Sequence, residues 1–278
     1  MPTRDASLTE SMNPLSPMSD FPLDLPSNWH HSHLAQTDST MLRLRNETYA
    51  HCKEEFTLLT ADYQTAGRGQ RGTSWEADAG LNLLFGFLFH PTEVQANHQF
   101  YLSEALALAV CDALSSYADG FSVKWPNDIY WHDRKICGML LEHDLQGSHI
   151  ATTLTGVGIN VNQSHFLSDA PNPVSLRQIL GHEVEREALL ARLLQAFERY
   201  YRQLQHGNSA LLHAVYMRHL YRREGMHPYE DADGPFNARI LDISSIGMLT
   251  LQRENGTQRT YAFKEVKFVN PPMEEYSI

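Results

Sequence analysis

Cysteine is scarce in this chain: Cys52, Cys111 and Cys137 are the only three among 278 residues, and no two form a CxxC pair. Disulfide frameworks and thiolate metal sites both need paired thiols, so these read as free thiols in a reducing compartment, with the cytoplasm as the expected location. Long apolar runs are also missing. None approaches the roughly 20 residues that cross a bilayer, and the start of the chain lacks the basic-then-apolar order of a secretion signal, so no membrane role is expected. Positive charge is in deficit as well. Lys and Arg number 22 against 33 Asp and Glu, a formal net charge of -11, which denies the chain the diffuse positive field that supplies most phosphate-backbone affinity. General binding to DNA or RNA is therefore not expected.

What remains is ordinary globular composition, 42% hydrophobic and 20% charged, and a length suited to one catalytic-scale domain with a small companion. Residues 1–30, rich in Ser, Pro, Asp and Met, carry neither a helical nor a strand period and read as a disordered extension. His30, His31 and His33 stand at its end, but without Cys or carboxylate spacing they read as solvated surface and not as a metal site. Asp38 or Ser39 is the expected N-cap of a helix reaching about Ala50, and Phe56 to Tyr63 reads as a strand. A glycine-rich loop, Gln64 to Gly80, leads to an almost wholly apolar strand, Leu81 to Phe89, and Gln99 to Tyr117 has core-helix spacing. Strands follow in hairpin order, Phe121 to Trp125 running through a break into Asp128 to Trp131, then Lys135 to Asp144 and His149 to Val161, which predicts an antiparallel or mixed sheet. Helices over about Ala188 to Leu204 and Ala210 to Tyr221 are expected to lie against it. From Gly225 short strands and turns dominate, Asn237 to Ile243, Gly247 to Arg253, Gln258 to Phe263 and Lys267 to Val269, the texture of a small barrel. The resulting division is 31–223 for the main domain and 224–271 for the barrel.

Three segments carry chemistry. Gln64-Thr65-Ala66-Gly67-Arg68-Gly69-Gln70-Arg71-Gly72-Thr73-Ser74-Trp75 concentrates glycines, two arginines and a tryptophan in an acidic protein. Glycines let backbone amides approach an anion, and arginines add charge-assisted donors, so a phosphate is the natural ligand; a flexible surface loop is the competing account. Lys124-Trp125-Pro126-Asn127-Asp128 and Arg134-Lys135-Ile136-Cys137-Gly138-Met139-Leu140-Leu141-Glu142 place Lys124 and Lys135 on what read as neighbouring strands, with Asn127 and Asp128 in the break. A lysine on a buried strand is costly unless it faces an anion; taken alone, a structural ion pair between Lys135 and a carboxylate is a fair competing explanation. Gly156-Val157-Gly158-Ile159-Asn160-Val161-Asn162 offers close approach and a polar fork, or simply a bulged strand.

Taken in order and spacing, these segments resemble the biotin protein ligase family, which carries a Gly-Arg-Gly-x-x-Gly loop ending near Trp, a Lys-Trp-Pro-Asn-Asp break, an Arg-Lys-x-x-Gly-x-Leu-x-Glu strand and a Gly-x-Gly-Ile-Asn segment. The resemblance runs from about Ser39 to Val269. It implies an α+β fold, a mixed and largely antiparallel central sheet with packed helices of the class II synthetase type, plus a small C-terminal SH3-like β-barrel. It also implies a reaction in which ATP and biotin, with Mg²⁺, give biotinyl-5'-AMP and pyrophosphate. The acyl group then passes to one lysine of a biotin carboxyl carrier domain of a biotin-dependent carboxylase. By resemblance, Ser39, Thr40, Gln64, Gly67, Arg68, Gly69, Gln70, Lys135 and Gly138 bind biotin, while Arg71, Trp75, Asn82, Lys124, Asn127 and Asn160 border the nucleotide. Lys135, Arg68 and Asp128 are the expected catalytic residues. Gln70 and Thr73 stand where the family often has basic residues, which implies differently tuned loop closure. The winged-helix DNA-binding domain of some members is not expected here, and a homodimer is compatible with the family. A lipoate-type acyl-adenylate ligase and a non-catalytic biotinyl-AMP sensor are the alternatives.

Overall fold

Seven strands form the main sheet of the computed structural model, which describes residues 25–47, 55–69, 74–167 and 172–269. They are β1 (Trp29–Thr37), β2 (Phe56–Gln64), β3 (Leu83–Phe89), β4 (Phe121–Lys124), β5 (Asp128–Trp131), β6 (Arg134–Gln146) and β7 (His149–Ile159). The order is β1-β2-β3-β7-β6-β5-β4, with β1 parallel to β2 and every other pairing antiparallel. Strand β3, in the interior of the sheet, is buried at every residue, which is why Leu83 to Phe89 reads as an unbroken apolar run instead of an alternating one.

Helices cover both faces. On one lie α2 (Phe100–Ser115) and α4 (Arg186–Gln205), followed by α5 (Ser209–Arg218). The apolar stripe of α4, Leu189, Leu190, Leu193, Leu194 and Phe197, is buried, and Phe197 meets Phe56, Phe87 and Phe89 ring to ring with centroids at 4.8 to 6.2 Å. Such edge-to-face pairs add to the area that the rings bury. On the other face α1 (Thr40–Glu47) places Leu44 against Leu59, Leu88 and Leu154. That packing brings the first turn of α1 to the C-terminal end of β2.

A second, five-stranded antiparallel sheet follows: β8 (His227–Asp231), β9 (Gly234–Ile243), β10 (Leu249–Arg253), β11 (Gln258–Tyr261) and β12 (Lys267–Phe268), in the order β11-β10-β9-β8-β12. Its buried side chains, among them Tyr229, Ile240, Leu249, Leu251 and Tyr261, belong to the same hydrophobic cluster as the main sheet. The small sheet thus shares a core with the larger unit, as its limited capacity to bury apolar area requires.

Several elements differ from the sequence reading. His30, His31 and His33 lie in β1, at the edge of the main sheet; His30 is exposed as expected, but His31 and His33 are half-buried and not solvated surface, one nitrogen of each sitting 2.9 Å from Thr60 Oγ1. Burial, with neighbouring His33 and His30, pushes His31 down to about 4, so it is neutral at physiological pH. The expected strand break at Trp125–Asn127 is a full chain reversal. Lys124 on β4 and Lys135 on β6 therefore have β5 between them, and are not on adjacent strands. A short helix, α3 (Leu176–Leu180), and β8 had no counterpart in that reading. Residues 1–24, Cys52, Gln70, Arg71 and Thr73 fall outside the described residues; Cys111 and Cys137 are free and buried. No helix among the described residues is long and apolar enough to cross a membrane. Nor does any group of three or more His, Cys, Asp or Glu side chains among them form a metal-holding cluster.

Candidate active site

A cleft of about 750 Å³ opens between the main sheet and the second sheet. Four local structures build it. The first is the junction of β1, α1 and β2: Asp38 accepts from the Ser39 N–H at 2.6 Å, the Ser39 carbonyl accepts the first helical N–H from Arg43, and Gln64 Oε1 accepts from both Thr40 N and Thr40 Oγ1 at 2.7 and 3.2 Å. Ser39 is thus the residue that starts α1. With Oε1 occupied by Thr40, the Gln64 amide nitrogen lies beside Gly67 and keeps its donors.

The second is the glycine-rich loop. Its two described arms are tied together by an Arg68–Ser74 bridge and by Trp75 N donating to Gly67 O at 3.1 Å. The Trp75 indole then lies flat over the sheet. A Cβ on Gly158 would come within 2.4 Å of the indole, and one on Gly138 within 2.9 Å, so these two glycines make the floor on which the ring sits.

The third is the β4–β5 reversal. Asn127 donates from Nδ2 to Met139 O at 2.6 Å and accepts from Met139 N at 2.9 Å, which locks the turn to β6. Lys135 Nζ stands 2.7 Å from Asp128 Oδ1, both side chains being about three-quarters buried, so the carboxylate that could explain Lys135 structurally is the other candidate catalytic group. Lys124 donates to Tyr130 OH at 2.8 Å and lies over the Phe268 ring; burial above all holds it down to about 8, while Asp128 opposes that shift. The fourth contribution comes from β12 and the β11–β12 connection, which supply Phe263, Lys264, Val266, Lys267 and Phe268 to the wall.

The electrostatic character is decided by a count. Among the described lining residues, Arg68, Lys124, Lys135, Lys264 and Lys267 are cationic and Asp128 is the only carboxylate. The whole chain carries five lysines, the fifth being Lys53; four of them therefore face one cleft in a protein of net charge -11. Clustering of one sign within low-dielectric walls focuses the field on an anionic ligand.

Of the residues singled out from sequence, Ser39, Thr40, Gln64, Arg68, Gly69, Trp75, Lys124, Asn127, Asp128, Lys135 and Gly138 line this cleft, and Gly67 adjoins two of them, Gln64 and Trp75. Asn82 and Asn160 are not brought there. Asn82 is fully buried, bonded to Gln163 and to Val161 N, and Asn160 donates to Val174 O, so both pin the segment that follows β7. Gln70 and Arg71 lie outside the described residues. The sequence reading gave Ser74 no role of its own within the glycine-rich segment, and did not single out Met41 or the five residues of the second sheet and its β11–β12 connection. For Lys264 and Lys267 the available signal was the scarcity of lysine elsewhere.

Comparison with known proteins places these residues in context. Residues 34–160 match the model of the Biotin/lipoate A/B protein ligase family. A biotin–[acetyl-CoA-carboxylase] ligase of Paracoccus denitrificans is 32% identical over 185 residues, a match that spans 62% of this chain and 72% of that protein. The chain belongs to the biotin protein ligase family. The bifunctional ligase/repressor BirA of Bacillus subtilis is 28% identical over 242 residues, spanning 84% of this chain and 71% of that one. Among solved structures, biotin protein ligase from Aquifex aeolicus in complex with biotin and ATP superposes with a TM-score of 0.70 at 26% identity, over 85% of this chain and 97% of that chain. The α+β architecture is that of biotin protein ligases, and the second sheet fits the SH3-like domain that the resemblance implies.

Proposed function

We propose that this cleft performs ATP-dependent biotin ligation in two steps. In the first, a carboxylate oxygen of biotin attacks the α-phosphorus of ATP, the bond to the β-phosphate breaks, and pyrophosphate leaves with the electron pair. In the second, the amine of a carrier lysine attacks the acyl carbon of biotinyl-5'-AMP, the C–O bond breaks, AMP leaves, and the amine gives up a proton. The observation that carries this reading is the set of five cations against one carboxylate in a cleft large enough for an acyl-nucleotide.

Each step asks something specific of the chain. Joining a carboxylate to a phosphate brings two anions together, and fixed cations screen them without the reorganisation that water would require. Lys135 and Arg68 serve the reacting centre in this reading, while Lys264 and Lys267 face the polyphosphate tail from the opposite wall. Ser39, Thr40 and Gln64 hold the ureido ring, with Gln64 donating to its carbonyl. Asp128 serves the second step. It orients the incoming ammonium and takes its proton. The acyl-adenylate is a mixed anhydride that water would destroy, so the loop carrying Arg68 and Trp75 keeps the site dry until the carrier arrives.

The described walls do not form a metal cage, because their single carboxylate is already paired with Lys135. Mg²⁺ would arrive with ATP and offset part of its phosphate charge. The acceptor is a biotin carboxyl carrier domain, the protein works in the cytoplasm without DNA or membrane, and a homodimer is the candidate assembly. The test is pyrophosphate release measured with biotin and ATP, followed by transfer to a carrier domain. Release that requires biotin and is unmoved by lipoate supports the reading; release with lipoate and none with biotin replaces it with lipoate ligation.

A further inference from the structure

The β9–β10 turn, Ser244–Gly247, lies outside the cleft, yet it is bonded to the element that carries Asn127 and Asp128. Trp125, the first residue of the β4–β5 reversal, is 4% exposed and donates its indole N–H to Gly247 O at 3.0 Å. Its ring meets Phe263, a cleft residue of the β11–β12 connection, edge to face at 6.2 Å. The turn in turn is fixed to the main domain. Phe100 N, at the start of α2, donates to Ser245 O at 3.0 Å, and Gly247 sits so close to the Phe100 ring that a Cβ there would stand 2.6 Å from Cδ2. Gly247 also has φ +86, a conformation that disfavours any side chain. Ser244 closes the turn by accepting from Met248 N through its hydroxyl at 3.1 Å.

The reversal is therefore held from two directions. Asn127 ties its far end to β6, and Trp125 ties its near end to the second sheet. A strand end held at one point can swing; one held at both has a single position for Asp128 relative to Lys135. We infer that the Ser244–Gly247 turn is a hitch through which the second sheet sets the position of the Asp128-bearing reversal, with Trp125 as the positioning residue. The second sheet then does more than wall the cleft. The inference rests on the reading of the cleft as an acyl-adenylate site, and turnover by the unaltered protein tests that reading by itself.

The experiment uses the full chain and compares Trp125→Phe, Gly247→Ala and the double variant. Trp125→Phe keeps an aromatic ring against Phe263 and removes the N–H donor together with part of the indole's bulk. Gly247→Ala moves the acceptor from outside the cleft. Each single variant is expected to lower kcat for transfer from preformed biotinyl-5'-AMP by roughly three- to tenfold, the worth of one neutral hydrogen bond. KM for biotin should stay unchanged, because Thr40 and Gln64 are untouched. The double variant should be no slower than the slower single, since both cut the same link. Wild-type kcat in Trp125→Phe overturns the hitch. So do losses that multiply in the double variant, or a biotin KM that moves together with kcat. If melting shows that Gly247→Ala has lost its fold, Ser244→Ala takes its place, because it removes only the side-chain closure of the turn; an unchanged transfer kcat in that variant counts against the hitch in the same way.

Discussion

Lys135 and Asp128 face each other at 2.7 Å, so neither can be altered without releasing the other. In the proposed reading Lys135 is the cation at the reacting carboxylate, and Lys135→Ala should cost about 2 to 4 kcal/mol in adenylation, the range found for oxyanion-type donors. Asp128→Asn leaves that cation in place but removes the group proposed to receive the carrier ammonium. Single-turnover rates should then fall further for transfer from preformed biotinyl-5'-AMP than for pyrophosphate release; equal losses in both would assign Asp128 to the nucleotide. Lys124 gives a second residue-scale test. Burial holds it down to about 8 in the free cleft, and a phosphate placed beside it restores the charged form. ATP binding above pH 8 should take up protons, whereas near pH 7 Lys124 is already charged and uptake should be small. Calorimetry in two buffers of different ionisation heat reads this directly, and Lys124→Arg should abolish it. Lys124, Asp128 and Lys135 were legible as cleft residues because charge on a strand is expensive unless it faces a partner. Asn82 and Asn160 were not, because a buried asparagine bonding backbone and one bonding ligand look alike in a one-dimensional pattern.

At the scale of elements, the glycine floor under Trp75 is the most exacting feature. A Cβ on Gly158 would stand 2.4 Å from the indole, far inside contact distance, and the ring has strand backbone below it. Gly158→Ala should displace Trp75 and weaken ATP binding by at least about tenfold, or roughly 1.4 kcal/mol, while leaving the far side of the sheet and the melting temperature nearly unchanged; titration of each ligand separately checks it. The strands β2, β3, β6 and β7 were readable because apolar or alternating residues mark them. Strand β1 was not, since Trp29-His30-His31-Ser32-His33 lacks β-branched residues and its pairing with β2 is parallel and distant in sequence. Helix α3 has only five residues, but it begins with a capping box formed by Ser175 and Gln178, a signal present in the sequence and overlooked. Which apolar residues of a small β-unit turn toward a neighbouring cleft has no local signature, and so Phe263 and Phe268 emerged only with the fold.

At the scale of the molecule, the second sheet joins the main domain through charge as well as through shared core. His213 on α5 lies between Glu104 on α2, at 2.7 Å, and Asp242 on β9, at 3.1 Å, with the Tyr101 ring nearby. Its hydrogen bond to Glu104, the leading cause, and then the charges of Glu104 and Asp242 hold it up to about 9 against the opposing effect of burial. A group raised in this way contributes its stability in full below its ordinary value of 6.5 and loses it as pH rises through about 9. The melting temperature should therefore fall between pH 6.5 and 9, and His213→Gln should flatten the profile across that window in a scanning fluorimetry series. The two sheets, the joint between them and the cationic cleft together define one claim, that the space between Gln64, Lys135 and Lys264 makes biotinyl-5'-AMP. Pyrophosphate release by the full chain, with biotin and ATP supplied alone and together, measures it most directly. The account predicts release only with both present and its loss in Lys135→Ala; release without biotin, or undiminished release in that variant, would contradict it.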